Sequence, residues 1–480
     1  MNKLKQLAGE TVLYGLGSIV PRFLNFLLVS LHTGVFAPAE YGVITKLLAY
    51  VGVLNTVYMF GMETAYFRFA SKPGADEQKI FNLAQTVVLS ISGSLTVIFI
   101  LFASSIADLL QMPSRPDLVI ALALIMFIDA VVAIPFARLR LQKKGRQFAA
   151  FKLTNIFVLV GLNVYFLRLA PGMVTDVGFV FLANLIANGM YILFFARMLI
   201  SWRTAYDRDL SPRMFAYAYP IMFTGLAGMT NEMFSRITLD AWLPPHFYPG
   251  RSNEAALGIF GACYKLAMLM SLAIQAFRYA AEPFFFSQAT EKNSPQLFAR
   301  INHYFTIVCC LLLLSASINL DILKYFLGQP AYWEGINIVP ILLLAYLFNG
   351  IYYNFTIWYK LTDKTYWGTI LTVGGMIVTI GANYFLIPLF GYTGSSWAAL
   401  LCYFSMTVAC YLIGKKYYPV PYAIGKGIAY IAITIFIVYA VNAVFLSSQV
   451  LATTFHIVVI ILYLCGVYLI ERKHFRTVQA

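Results

Sequence analysis

A chain of 480 residues with 60% hydrophobic, 16% aromatic and only 11% charged side chains is not an ordinary water-soluble protein, since soluble domains carry roughly 25% charged residues. A mean hydropathy of +0.75 spreads the apolar excess along much of the chain, so a bilayer must serve as solvent. The net charge of +14 fits Lys and Arg gathered on cytoplasmic loops, and neither disorder nor a nucleic-acid role suits this composition.

An α-helix needs about 20 apolar residues to cross roughly 30 Å of hydrocarbon. In chain order, fourteen stretches qualify: 9–31, 41–66, 81–104, 117–137, 148–168, 177–199, 214–240, 256–283, 298–319, 335–358, 366–388, 395–413, 424–446 and 453–470. The runs are continuous rather than alternating, which selects helices over a barrel. Pro21 and Arg22 interrupt the first run and argue against a cleaved signal, although Ala37-Pro38-Ala39 mimics a cleavage site. Placing the N-terminus in the cytoplasm puts 25 of the 34 Lys and Arg on inner segments and four (Arg115, Arg168, Arg251 and Lys324) outside, with five inside spans. One miscounted span would invert every later loop, so this bias supports fourteen spans with both termini inside. The six cysteines all fall in apolar runs with no metal-binding spacing, and read as packing residues. No extramembrane segment is long enough for a catalytic domain, and no GxxxxGK[ST] motor motif occurs.

The first and seventh spans each carry an arginine, Arg22 and Arg236, followed at similar distances by Tyr41-Gly42 and Leu257-Gly258. Lys46 follows four residues after the first glycine and Lys265 seven after the second, which keeps both near the same helical face. The simplest architecture is all-α and polytopic: two pseudo-symmetric six-helix lobes at 1–199 and 200–413, and two additional helices with a tail at 414–480. Parallel repeats of this kind place a substrate site between lobes.

Arg22, Lys46, Arg236, Lys265 and Arg278 are the cations within spans. A charge at the bilayer centre costs on the order of 3 kcal/mol on insertion scales, so these side chains should face an aqueous cavity or a partner. Glu232 with Arg236, and Arg278 with Glu282, stand at i,i+4 and can pair on one helix face. Arg22 and Lys46 have no such neighbour, so another helix or an anionic substrate must satisfy them. Arginine presents a planar fork that suits phosphate oxygens. The acids within spans are Glu63, Asp129, Glu232, Asp240 and Glu282. They are candidates for ion coupling or for charge pairing between helices.

Ala39-Glu40-Tyr41-Gly42 followed by Gly61-Met62-Glu63-Thr64-Ala65-Tyr66-Phe67-Arg68 resembles the second helix of polysaccharide flippases. Leu257-Gly258-Ile259-Phe260, Tyr264-Lys265-Leu266 and Glu282-Pro283 carry the likeness into the second half, and Asn383 to Pro388 with Gly391 and Gly394 to Ala399 extend it, with Ser395 where the family usually has Ala. On these motifs the chain resembles the multidrug/oligosaccharidyl-lipid/polysaccharide (MOP) exporter superfamily, in its O-antigen flippase (Wzx-like) branch. The resemblance implies two six-helix bundles around a cationic cavity lined by helices 1, 2, 7 and 8, in the bacterial inner membrane. It implies no catalytic residues, metal or cofactor, and a substrate of undecaprenyl-diphosphate-linked oligosaccharide moved by alternating access. It carries the cavity cations onto Arg22, Lys46, Arg236 and Lys265, with Arg278 beside them, and brings membrane lipids and a polysaccharide polymerase into view as partners. A lipid II flippase shares the same physics. A cation-coupled multidrug exporter would favour an acidic cavity, and a polymerase or glycosyltransferase a large outer loop.

Overall fold

In hydrocarbon every backbone N–H and C=O must be satisfied within the protein, and apolar runs of this length do so as helices. A computed structural model describes residues 2–170, 175–289, 291, 293–444 and 448–476, with the side chains of 2–16 and 473–476 excepted. Lys3, Lys5, Lys292, Lys473 and Arg476, counted among the inner cations, therefore lie outside the described side chains.

The first half contains α1 (Asn2–Val35), α2 (Pro38–Met59), α3 (Met62–Ala70), α4 (Glu77–Leu101), α5 (Ala103–Leu109), α6 (Pro116–Leu141), α7 (Gly145–Val164), α8 (Gly178–Phe194) and α9 (Ala196–Ile200). The second contains α10 (Leu210–Trp242), α11 (Asn253–Gln288), α12 (Ser294–Ile318), α13 (Leu320–Leu323), α14 (Val339–Phe355), α15 (Ile357–Leu361) and α16 (Tyr366–Tyr417), followed by α17 (Ile424–Asn442) and α18 (Gln449–Arg476). No strand occurs among the described residues. Among the described residues eleven segments are long and apolar enough to cross a membrane, so this is a multi-pass membrane protein. The 17-residue α8 is shorter, and the 33-residue α10 carries Glu232, Arg236 and Asp240.

Three expected spans take unexpected forms. Residues 41–66 do not make one straight helix, because Phe60 and Gly61 adopt left-handed backbone at φ 51° and 67° and divide α2 from α3. The stretches 366–388 and 395–413 run together as the 52-residue α16, whose length of roughly 78 Å is more than twice a bilayer core. Gly391, at φ 57° and ψ −136°, breaks it. A side chain is poorly tolerated in that conformation, which concentrates the turn in one glycine. Of the cysteines, five are buried and Cys465 is exposed on α18, which corrects its reading as a packing residue.

In the first half α1 packs on α7, α4 on α6, and α8 on both α6 and α7; in the second α10 and α14 pack on α16, and α11 and α12 on α14. α17 lies against α12. The halves meet where α2 lies across α10 and α11, α3 against α10 and α1 against α11. At one end, where α3 meets α10, Phe60 stacks on Phe215 at 4.7 Å and the Arg68 guanidinium lies 4.1 Å over Tyr217. The segment joining the halves runs along α4 at that end. Trp202 Nε1 and the Ala205 N–H both donate to Thr86 Oγ1, and Lys79 pairs with Asp207 at 2.6 Å. The Lys79 ammonium, with the N–H groups of Leu210 and Asp209, holds the Asp207 carboxyl down at about 2, below its ordinary 3.8.

The opposite end, called outer here after the sequence reading, is sealed by backbone-to-backbone approach. Gly42 of α2 and Gly258 of α11 cross so closely that a Cβ on either would overlap a carbonyl oxygen, of Glu254 or of Pro38. Tyr332 donates its hydroxyl to the Phe36 carbonyl at 2.8 Å, and the Gly328 N–H donates to Thr33 Oγ1 at 3.0 Å. These contacts tie the α1–α2 turn to the segment before α14.

Candidate functional site

Inward of that seal, four helices aim polar side chains into one space. α1 supplies Arg22, Asn25 and Phe26, which share a face at spacings of three and four. α10 supplies Met229, Glu232 and Met233, and α14 supplies Tyr346, Asn349 and Tyr353 at i, i+3 and i+7. α11 contributes a stripe of Lys265, Met268, Leu272, Gln275 and Arg278, about 20 Å long at the helical rise. The chamber they enclose measures ≈ 390 Å³. Beside it, a second cavity of ≈ 340 Å³ shares Glu232, Arg278, Asn349 and Tyr353 and continues to Asn231, Thr372 and Lys360.

The structure gathers three of the five expected cations here. Arg22 is exposed to the chamber and Lys265 partly buried in it, and neither makes an ion pair or hydrogen bond among the described residues. Arg278 lies 3.8 Å over the Tyr353 ring and reaches Glu282 Oε1 at 3.4 Å, as the i,i+4 spacing suggested. Lys360 Nζ holds the same oxygen at 2.7 Å, so Glu282 is shared between two cations and leaves positive charge over. Glu232 lines both cavities and its carboxylate makes no ion pair among the described residues. The chamber is therefore cationic on balance, with one free carboxylate.

The other two cations sit elsewhere. Arg236 is only 6% exposed; its guanidinium lies 4.2 Å over the Tyr264 ring and donates to the carbonyl oxygen of Glu232 at 3.0 Å. The spacing with Glu232 thus brings a backbone bond, not the carboxylate pair, because stacking on Tyr264 turns the fork along the helix. Tyr264 is itself fixed by the Tyr346 hydroxyl, which donates to it at 2.6 Å. Lys46 finds the partner that its own helix lacks on another: its Nζ donates to Asp240 Oδ2 of α10 at 2.7 Å and to the Leu110 carbonyl at 3.2 Å. It lines a separate outer pocket of ≈ 330 Å³ with Glu40, Asp240 and Glu254, not the chamber.

Two expected acids are also remote. Glu63 is ion-paired with Arg140. Asp129 accepts from Asn55 at 3.2 Å and Asn188 at 2.9 Å within the first half. Conversely, the sequence reading passed over Asn25, Gln275, Asn349 and Tyr353. Amides recurring at helical spacing inside apolar runs are the signal that points to them, since hydrocarbon gives an amide nothing to bond.

A family model described as "Polysaccharide biosynthesis protein" matches residues 35–294, more than half of the chain. The chain belongs to that family. The fold is shared with solved membrane transporters and flippases. A lipid II flippase, MurJ, in an inward closed conformation superposes with a TM-score of 0.74 at 12% identity, covering 97% of this chain and 100% of that one. A multidrug resistance MATE family transporter of the MOP superfamily, inward-facing, gives 0.63 at 13% identity over 85% of this chain and 97% of its own. A mutant of a Vibrio cholerae MATE transporter gives 0.60 at 14% identity, over 86% and 96%. No curated protein sequence matches the chain. The all-α, polytopic fold class expected from the sequence is the one found, shared with these transporters and the flippase, although α14 rather than α2 completes the lining of the chamber.

Proposed function

We propose that this family member is a flippase for a lipid-linked oligosaccharide, carrying no covalent chemistry. It would hold fourteen spans with both termini inside, two six-helix lobes at 1–199 and 200–413 and a helix pair at 414–480, in the bacterial inner membrane. The substrate is an undecaprenyl-diphosphate-linked glycan of an O-antigen, capsule or exopolysaccharide. Its polyprenyl tail stays in lipid while the sugar-diphosphate head crosses between the lobes by alternating access.

The observation that carries this reading is the chamber, where Arg22 from the first half meets Lys265 and Arg278 from the second. A diphosphate cannot enter hydrocarbon bare, because an ion stripped of water needs compensating charge and hydrogen bonds. Arg22 and Lys265 supply both without first breaking an ion pair among the described residues. Asn25, Gln275, Asn349 and the tyrosines offer donors and flat apolar faces to sugar hydroxyls and rings. With the inside negative, each anionic charge moved outward also gains about 2.3 kcal/mol per 100 mV.

A lipid II flippase remains a second reading, favoured by the MurJ-like fold, and the chamber chemistry serves both. Deleting the gene and identifying which lipid-linked glycan builds up on the cytoplasmic face separates them. Accumulation of an oligosaccharide repeat unit supports the first reading. Accumulation of lipid II supports the second, and accumulation of neither removes both.

A further inference from the structure

The outer end of the chamber is closed by charge as well as by close backbone approach. Glu232, Arg236 and Asp240 follow at intervals of four along one face of α10. The first opens on the chamber and the last on the outer pocket. Lys46 crosses from α2 to Asp240, one helical turn inward of the Gly42–Gly258 crossing. Both members are almost dry, at 7% and 3% exposure, and Asp240 Oδ1 has no hydrogen-bond partner. A buried pair of this kind holds only while each charge cancels the other. Separating the halves at the outer end breaks this pair, and an anionic partner for Lys46 offsets the loss. The lysine needs an anion, and the proposed substrate carries one.

We propose that Lys46–Asp240 is an exchangeable latch in which the anionic head group, rising from Arg22 and Lys265, takes Lys46 away from Asp240 and so frees the outer end. A ligand shifts a conformational equilibrium only through differential affinity, and here the anion meets a free Lys46 only once the latch has parted. Released Asp240 joins Glu40 and Glu254 in the outer pocket, where three carboxylates repel the departing anion. The bridge thus ties outer opening to cargo and prevents an empty outward swing. This inference rests on the proposed anionic lipid-linked substrate.

The test places spin labels at Ala37 and Pro249, exposed positions on outer segments of the two halves, in full-length protein with Cys465→Ser in lipid nanodiscs. Double electron–electron resonance reads the outer gap. Farnesyl diphosphate is the probe and farnesol its uncharged control. The unliganded protein should show a dominant short distance and a minor longer one, which farnesyl diphosphate raises at least about threefold and farnesol leaves unchanged. Asp240→Asn should show the longer population without the probe. The swapped pair Lys46→Asp/Asp240→Lys should restore the short distance yet ignore the probe, because the anion now meets an aspartate. Lys46→Met should be open and unresponsive. A swapped protein that opens with farnesyl diphosphate as the parent does, or an Asp240→Asn protein that stays shut, overturns the latch. Probe-driven opening in a protein that flips no lipid-linked glycan removes the flippase reading and leaves the latch standing.

Discussion

Lys46 and Lys265 hold corresponding places in the two halves, each shortly after a glycine of the same helix crossing, yet they meet opposite surroundings. Lys46 is neutralised by Asp240, whereas Lys265 faces the chamber with no ion pair among the described residues. The facing helices account for the difference. Asp240 stands four residues after Arg236, and the residue four after Arg22 is Phe26. Phe26 lines the chamber and stacks on Phe326 at 4.6 Å. Lys46 thus meets an acid where Lys265 has an aromatic ring nearby, and one lysine acts as a strut while the other stays available to a ligand. Sequence repetition fixes helix placement, while single positions decide which charges are spent on the protein and which stay available to a ligand.

That contrast breaks most visibly at the binding group. Arg22→Ala/Lys265→Ala should weaken farnesyl diphosphate binding by roughly 100-fold or more, since hydrogen bonds to charged groups contribute about 1.5–3 kcal/mol each. Titration calorimetry in nanodiscs reads the change. A loss below tenfold would mean that the chamber cations do not hold the anion.

Stability should respond the other way round. Lys46→Ala leaves Asp240 without its cation, a cost of up to about 3–5 kcal/mol for as long as the outer end stays shut. Lys265→Ala removes no ion pair and should leave the unfolding midpoint in mixed micelles nearly unchanged. Equal effects from the two lysines would erase the distinction between strut and binding group.

Much of this architecture was readable beforehand because hydropathy is a property of long runs, and errors at single residues average out. The breaks were not, since Phe60-Gly61 and Gly391 turn on local backbone angles inside otherwise apolar sequence. Arg22, Lys265 and Arg278 were legible as charges that lipid would reject. The fate of Lys46 was not, because its partner lies 194 residues away and no local spacing announces it. Arg236 misled in the opposite sense: Glu232 is at the right spacing, but Tyr264 holds the guanidinium against the backbone oxygen.

The asymmetry can be sharpened by making the first half imitate the second. Phe26→Asp places a carboxylate at the position matching Asp240, where it should pair with Lys265. Transport should drop by about tenfold, the equivalent of 1.4 kcal/mol, while Phe26→Leu should retain most activity. A Phe26→Asp protein transporting at the parental rate would separate Lys265 from substrate handling.

The smallest effect belongs to the segment joining the halves. The Asp207 carboxyl is held at about 2, below its ordinary 3.8, so its contribution is present above pH 4 and is lost as pH falls toward 2. Asp207→Asn should leave transport at neutral pH unchanged, lower stability slightly above pH 4 and flatten the acid limb of an unfolding-versus-pH curve. A neutral-pH transport defect would instead give the joining segment a part in the cycle.

In the proposed function, positive side chains from both halves carry a diphosphate-linked glycan through one chamber. Reconstituting the protein in liposomes and following a fluorescent undecaprenyl-diphosphate-linked oligosaccharide to the opposite leaflet tests it directly. The parental protein should flip the lipid, and Arg22→Ala/Lys265→Ala, folded and inserted equally well, should fall to the protein-free rate. Undiminished flipping by that double variant would contradict the account.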